Sequence, residues 1–222
     1  MTSLLGGDAS PVGWCVQFVD APFETTLAAH LAWRRSLPAG TPITVSKPMP
    51  FARALQNLTP FETPWTRELF VPLDGWTAYL NNGIGGGDPS ASAYVTANAL
   101  GVRHIVAMNS PTHGPGHSST QLWLSGPGGA PPSMSIRTIS AHQQDGRWSW
   151  LETGALQSFE DADRYTRRRV RDRFDREALL SCLAALGIDL AEDARWGDGV
   201  VVQQRVPWPR RTVTWDEARA EV

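Results

Sequence analysis

The pattern of apolar residues is most regular between residues 67 and 110, and it begins with a predicted β-hairpin. Residues 67–72 and 76–80 are both rich in residues that favour strands. Asp74-Gly75 lies between them and favours a tight hairpin turn, because glycine adopts a positive φ without steric cost. The two runs are therefore expected to pair as antiparallel strands.

A glycine-rich loop, a helix and a further strand are predicted next. After the loop at 83–87, Asp88 is a suitable N-cap and Pro89 a suitable first helical residue. Gly101 is expected to end the helix, since a left-handed residue commonly follows the last helical turn. Residues 102–108 then form an apolar run typical of a buried strand.

The flanking regions add strands and a helix to this central stretch. Residues 14–19 predict a strand, and residues 22–37 predict a helix with apolar residues on one face. Alternation over 134–141 followed by Asp145-Gly146 and residues 147–152 predicts a second hairpin. The middle of the chain is thus expected to hold a sheet of about five or six strands, a common size.

Charged residues dominate the last third of the chain. Residues 159–174 predict a helix in which acids and arginines four positions apart pair on the solvent face. Asp175 is expected to cap a second helix over 177–186. The predicted fold class is α+β: a central, mainly antiparallel sheet of about five or six strands with an N-terminal helix, a mid-chain helix and a C-terminal helix pair.

Chain length predicts one main domain. The 222 residues are enough to bury a core without disulfides or metals. We expect residues 1–11 to be a flexible N-terminus and residues 12–195 to form a single α+β domain. Residues 196–222 are expected to be an irregular C-terminal tail packed on that domain.

Charge and cysteine content limit the classes of function. The net charge of −2 provides no general basic field, so no nucleic-acid partner is predicted. Cys15 and Cys182 stand far apart and are expected to be unpaired thiols in a reducing compartment. Residues 1–11 do not have the pattern of a signal peptide, and no apolar run approaches membrane-spanning length. A cytoplasmic location without membrane contact is therefore expected.

The glycine loop is the first candidate ligand site. Backbone N–H groups at a helix N-terminus can bind an anion, and Gly83-x-Gly85 begins like a dinucleotide fingerprint. Asp88 stands where the third glycine should be, and its carboxylate would compete with a phosphate for the N–H groups. Two interpretations remain: a plain connection capped by Asp88, or a ligand site that includes Asn82, Gly85 and Asp88.

His113 and His117 form the second candidate, on a loop predicted over 109–117. The Gly-Pro-Gly between them excludes the helix that would place both imidazoles on one metal, and no cysteine or third histidine is nearby in sequence. No metal site is predicted. The loop is either an exposed connection or a ligand-binding loop that acts together with the glycine loop.

Tryptophan and arginine are over-represented and define a third candidate. Trp148 and Trp150 point to the same face of a strand, because side chains alternate. Arg167 and Arg171 belong to the arginine row of the predicted charged helix. The row is either a solvated face paired with its own acids or, with the two tryptophans, a protein-binding surface, since Trp and Arg are frequent interface anchors.

Two short motifs carry a resemblance to a family. The residues Trp76-Thr77-Ala78-Tyr79, followed by Asn82-Gly83, form the first motif, and the run Arg169-Val170-Arg171-Asp172-Arg173-Phe174 forms the second. At these motifs the chain resembles a family of uncharacterised bacterial proteins of similar length. The resemblance implies an α+β cytoplasmic protein and no specific site residues.

The leading hypothesis is a non-catalytic binding protein, such as an immunity-type or antitoxin-type protein that occludes a protein partner. Its basis is an acidic chain with tryptophan-rich hairpins and a charged outer helix, in which no catalytic or cofactor motif is found. The alternative is a small-molecule-binding protein or hydrolase-like enzyme in which the 83–88 loop and the two histidines share one pocket. No catalytic residue, metal or cofactor is predicted, and the oligomeric state is left open.

Overall fold

The computed structural model describes residues 4–6, 9–37, 41–87, 92–114, 116–190, 196–205 and 211–220. These residues form a nine-stranded sheet and a separate pair of short strands. The strands are β1 (Cys15–Val19), β2 (Ile43–Val45), β3 (Phe61–Thr63), β4 (Arg67–Leu73), β5 (Trp76–Asn81), β6 (His104–His113), β7 (His117–Ala130), β8 (Ser135–Gln144), β9 (Arg147–Thr153), β10 (Val200–Gln204) and β11 (Arg211–Val213).

The size of the sheet shows that the expectation of about five or six strands was wrong. The order is β2-β10-β4-β5-β1-β6-β7-β8-β9, and all neighbouring strands are antiparallel. β10 lies between β4 and β2, although all three come from distant parts of the chain. Pairing over such a distance leaves no signal in a short sequence window. The broad α+β class is confirmed.

Helices cover the sheet on both sides. α1 and α3 pack on one side over Phe70, Tyr79 and Val202. The larger core, which includes Phe18 and Leu122, lies on the other side. None of the described helices is long and apolar enough to cross a membrane. The helices are α1 (Phe23–Ser36), α2 (Phe51–Gln56), α3 (Ser92–Leu100), α4 (Val170–Arg173), α5 (Arg176–Ala185) and α6 (Trp215–Ala220).

Both predicted Asp-Gly hairpins are confirmed. Asp74-Gly75 joins β4 to β5 with φ values of 44° and 87°, and Asp145-Gly146 joins β8 to β9 with φ values of 50° and 75°. Positive φ at both central residues gives the turn a twist that matches the strands. The stop of α3 at Gly101 is also confirmed, with φ 67°, whereas Asp88 and Pro89 lie outside the described residues.

Residues 159–174, here called the arginine strap, do not form the predicted charged helix. They contain a 3-10 helix, Ala162–Thr166, and the single turn of α4. The strap lies on the face of the sheet that holds the larger core, and it buries Phe174 there. The second predicted helix is confirmed as α5, whose N-terminus is capped by Asp175 accepting a hydrogen bond from the Ala178 N–H at 2.9 Å.

Described residues near both ends of the chain pack onto the rest of the fold. The segment 196–222 contains β10 and α6, and it also contains β11, which pairs with β3. Within the predicted flexible segment 1–11, Leu4 is fully buried in the larger core. These contacts depend on partners far away in sequence, which local composition does not reveal.

A buried carboxylate, Glu68, connects β4 to both helices on its side of the sheet. Its Oε2 atom lies 2.9 Å from His30 Nε2 and 2.6 Å from Arg34 Nη2, both on α1. The Tyr79 hydroxyl donates to Oε1 at 2.8 Å. His30 Nδ1 in turn lies 3.3 Å from the Thr96 hydroxyl on α3. One acidic side chain therefore organises two helices and two strands.

The side chains of the Glu68 cluster are largely shielded from solvent. The Glu68 side chain is 2% exposed and that of Arg34 12% exposed. Burial opposes the charge of Glu68, but His30 and Arg34 outweigh it and hold the pKa of the carboxyl well below its usual range. Burial and the neighbouring Glu68 charge raise the pKa of Tyr79, which keeps its proton as the donor.

We predict that Glu68→Gln destabilises the protein by on the order of 3 kcal/mol at neutral pH, because the largely buried Arg34 loses its counter-charge and the hydrogen bonds to the carboxylate are weakened. The native carboxyl has the lower pKa, so its contribution is present above the unfolded value of 4.5 and is lost as the pH falls below it. Urea unfolding at neutral and acidic pH measures both effects. Glu177→Gln, at an 83% exposed side chain, is the control, and equal stability of Glu68→Gln and wild type at neutral pH would contradict the prediction.

His104 is a second buried polar residue on this side of the sheet. Its Nε2 lies 2.9 Å from Gln17 Oε1, and burial lowers the pKa of His104 to about 3 from 6.5. Between these two values the unfolded chain binds a proton that the folded chain does not bind. The contribution of His104 to folding stability therefore decreases as the pH falls through this window.

His104→Gln is expected to remove up to about 1.4 kcal/mol per pH unit from the slope of stability against pH between about pH 6 and pH 5. The window lies above the unfolded pKa of Glu68, which is 4.5, so that carboxyl contributes little there. Urea unfolding at several pH values measures the slope. His142→Gln, at a partly exposed position, serves as control, and an unchanged slope in His104→Gln would refute the assignment.

Candidate functional site

Asn82, predicted to bind a ligand, has a structural role in the described chain. Its Oδ1 accepts hydrogen bonds from the N–H groups of Thr66 and Arg67, both at 2.8 Å. Its Nδ2 donates to the Pro60 carbonyl at 2.8 Å, and the residue is fully buried. The amide is therefore already engaged at both ends and holds the chain leading into β4 against the end of β5.

The glycine loop packs against the N-terminal part of the chain. Gly86 has φ 100°, and a Cβ there would lie 2.7 Å from the Pro11 carbonyl and 2.9 Å from Trp14 Cβ. Gly85 has φ 85° and open space around it. Glycine is thus required at position 86 because the backbone of residue 11 and the Trp14 side chain approach it closely. This packing contact explains the glycine without a bound phosphate. Asp88 lies outside the described residues.

His113 and His117 lie on strands and not on a long loop. β6 continues to His113 and β7 begins at His117, where the two residues are paired. Their ring centroids are 6.1 Å apart, and His113 lies 4.7 Å from the ring of Trp14. His113 Nδ1 is 2.9 Å from the Pro111 carbonyl, which engages one of its nitrogens. Trp14 therefore brings the glycine loop and the histidine hairpin near each other through packing.

No metal site is formed by the part of the chain that the structure describes. Its residues include no group of three or more His, Cys, Asp or Glu side chains placed to hold an ion. A cavity of about 810 Å³ lies elsewhere, between α2 and α6. Phe51, Trp196 and Trp215 line it, and none of the predicted site residues does.

Trp148 and Trp150 lie on the strap side of β9, the terminal strand of the sheet. The register pairs Trp150 with Ala141, whose side chain belongs to the larger core. Tyr165 of the strap contacts the Trp150 ring at a centroid distance of 5.1 Å, and the Arg173 guanidinium lies 5.9 Å from it. The structure thus brings the predicted tryptophan pair and the arginine row to the same region.

A buried ion pair anchors the strap to the sheet. Arg137 of β8 donates to both Glu160 oxygens, through Nε at 2.9 Å and Nη2 at 2.8 Å. Both side chains are buried, with 3% and 0% exposure. Glu160 Oε2 also accepts from the Tyr165 hydroxyl at 2.7 Å, and Oε1 accepts from the Gln157 N–H at 2.8 Å. The Glu160 carboxylate therefore accepts hydrogen bonds from three residues, Arg137, Gln157 and Tyr165.

Arg137 has a second carboxylate partner in Glu152 of β9, at 2.7 Å. Burial alone would lower the pKa of Arg137, but the hydrogen bonds and charges of Glu160 and Glu152 raise it above its usual value. Burial and the adjacent Glu160 raise the pKa of Tyr165, so its hydroxyl remains a donor. Arg137 therefore stays charged and Tyr165 keeps its proton across the physiological range.

The arginine row does not pair with its own acids as expected. The arginine side chains at 167, 168, 169 and 171 are exposed, and Arg171 has an acidic neighbour in Asp172 at 3.7 Å. No carboxylate of the described residues lies within ion-pair distance of Arg168 or Arg169. The pairs predicted four residues apart require a continuous helix, and the strap is not one.

The two buried carboxylate clusters were missed by sequence reasoning. Glu68 was treated only as part of a predicted strand, and Glu160 was expected to lie on the solvent face of the predicted charged helix. A lone acid in phase with buried residues of a strand was the signal available at Glu68.

Searches of protein-family models, curated proteins and solved structures found no match to this chain.

Glu160→Gln is predicted to lower the free energy of unfolding by on the order of 3 kcal/mol and to loosen the strap, because buried Arg137 loses its main counter-charge. Trypsin cleavage after the strap arginines measures the loosening, and urea unfolding measures stability. Glu152→Gln, whose side chain is 42% exposed, should cost less than about 1 kcal/mol. Equal protease resistance of Glu160→Gln and wild type would contradict the anchoring role.

Proposed function

We propose that this protein is a non-catalytic cytoplasmic binding protein that occludes an acidic surface of a protein partner, as immunity proteins and antitoxins do. The observation that carries the proposal is the row of exposed arginines at 167, 168, 169 and 171 in the strap. The next arginine, Arg173, lies 5.9 Å from the Trp150 ring. The strap has six arginines against four acids, and five of those arginines fall within residues 167–173 with one aspartate, although the whole chain has a net charge of −2. Such a local excess of positive charge favours a negatively charged partner.

The strap holds the arginines on a rigid base. Arg173 donates from Nε to the Arg167 carbonyl at 2.8 Å, and Arg167 donates from Nη1 to the Asp172 carbonyl at 3.1 Å. Glu160 fixes the preceding residues to β8. Arginines on a preorganised segment lose less conformational freedom on binding than arginines on a mobile tail. The surface therefore presents arginine, a residue type enriched among interface anchors, from a fixed segment.

A protein partner fits this surface better than a nucleic acid. Single-stranded nucleic acids require aromatic faces on which bases can stack. Tyr165 and Arg173 already contact the Trp150 ring. Outside the strap the chain is acidic on balance, and this charge opposes the approach of a long polyanion. A compact acidic patch on a folded partner meets neither obstacle.

The alternative function, a small-molecule-binding protein or hydrolase-like enzyme, has weaker support. It requires the glycine loop and the histidine hairpin to present free polar groups to one pocket. Asn82 is buried and engaged at both ends of its amide, and one nitrogen of His113 faces a carbonyl. The two loops meet through the Trp14 ring and Gly86, which is a packing contact.

The test uses the strap variant Arg168→Glu/Arg169→Glu and a matched control, Arg35→Glu/Arg53→Glu. All four arginines are exposed, and both variants change the net charge equally. We expect wild type and control to capture the same dominant acidic protein from host extract, and the strap variant to bind it at least about tenfold more weakly. Affinity measured with the purified partner should also fall with added salt.

Three results would overturn the proposal. The first is capture of nucleic acid, seen as binding that nuclease treatment abolishes. The second is recovery of a bound small metabolite in place of a protein. The third is equal affinity of the strap variant and the control for the purified partner, which would place the interface away from the arginines.

A further inference from the structure

β9 ends the nine-stranded sheet and has one neighbouring strand. It spans Arg147–Thr153 and pairs with β8, and no other strand of the described residues pairs with it. The opposite edge, β2, has three residues. An edge strand of seven residues turns alternate N–H and C=O groups outward, which is the template for pairing with another strand.

The usual protections of an edge strand are weak in β9. It contains no proline, and its pairing with β8 runs without a register shift. Its charged side chains are Arg147, at the first position of the strand, and Glu152, which is paired with Arg137. The residue that follows β9, Gly154, packs against Ile136 and Arg137 of β8, and its carbonyl accepts from Arg137 Nη1 at 3.0 Å.

The two faces of β9 differ in chemistry. On the strap side, Trp148 and Trp150 alternate along the strand, and Arg173 approaches Trp150. On the other side lie Ser149, Leu151 and Thr153, all exposed, and Leu151 is 49% exposed.

Side chains alternate along a strand, so exposed Glu152 also lies on the strap side and exposed Arg147 on the other side. Glu152 is paired with Arg137 at 2.7 Å. A strand added here would meet the strap arginines and a paired carboxylate on one face, and Arg147 beside a partly apolar surface on the other.

We infer that β9 binds an extended acidic segment of a partner protein by strand addition, and that the segment alternates acidic and apolar residues. This inference rests on the proposed function, because it assigns the binding mode of the same surface. Main-chain hydrogen bonds to β9 would hold the segment, and the strap arginines would select its acidic face. A second copy of this chain is disfavoured as occupant, because pairing two β9 edges brings two arginine straps together.

The probe is a capped peptide of about ten residues that alternates glutamate and valine, which is long enough to span β9. A lysine-valine peptide of the same length and a polyglutamate peptide are the comparisons. Amide hydrogen exchange and chemical shifts are measured residue by residue on the full chain. We expect the glutamate-valine peptide to slow exchange of alternate amides in β9 and to leave β2 unchanged.

The charge variants separate the two contributions. Arg168→Glu/Arg169→Glu should weaken glutamate-valine binding at least about tenfold, whereas Arg35→Glu/Arg53→Glu should leave it unchanged. The lysine-valine peptide should not protect β9. Equal protection by the lysine peptide would overturn the acidic specificity, and a dimer joined through β9 without any peptide would overturn the choice of occupant.

Failure of the inference and failure of the proposed function are distinguishable. Shifts confined to residues 164–173, with no protection in β9, would overturn strand addition and leave the acidic-partner function standing. No binding of either acidic peptide would also overturn strand addition. The proposed function is overturned separately, by equal affinity of the strap variant and its control for the captured partner.

Discussion

The buried charge of Glu68 is the constraint on which the helical side of this protein depends. A carboxylate in the interior is costly unless it is paired and hydrogen-bonded, and Glu68 receives donors from His30, Arg34 and Tyr79. These donors come from α1 and β5, and His30 also contacts Thr96 of α3. The position of both helices on the sheet is therefore coupled to the ionisation of one residue.

The same device recurs on the opposite side of the sheet with a different consequence. Glu160 and Arg137 form a buried pair that fastens a segment with little regular structure. The anchor lies at the start of the strap, and the arginines that follow are exposed at 167, 168, 169 and 171, with Arg173 lying 5.9 Å from the Trp150 ring. In the function proposed above, a structural ion pair positions the groups that a partner would contact.

The sequence predicted the local elements well and the candidate surface only in part. The Asp-Gly hairpins and the Asp175 cap were found because a turn or a cap is decided by neighbouring residues. Trp148, Trp150 and the arginines were identified as residue types, but the predicted helix would have placed the arginines on a self-paired solvent face. Asn82 and His113 were predicted to bind a ligand, but in the structure the Asn82 amide and one His113 nitrogen already have hydrogen-bond partners within the chain.

By itself, the sequence determined the α+β class, both hairpin turns, the two well-predicted helix ends at Asp175 and Gly101, and the presence of an arginine-rich segment. These features depend on backbone preferences and on contacts between near neighbours. The tertiary structure decided the nine-strand order, the place of β10 beside β4, the burial of Glu68 and Glu160, and the open edge at β9. Each of these features depends on contacts between residues distant in sequence and on how far those contacts exclude water. A local sequence pattern contains neither kind of information.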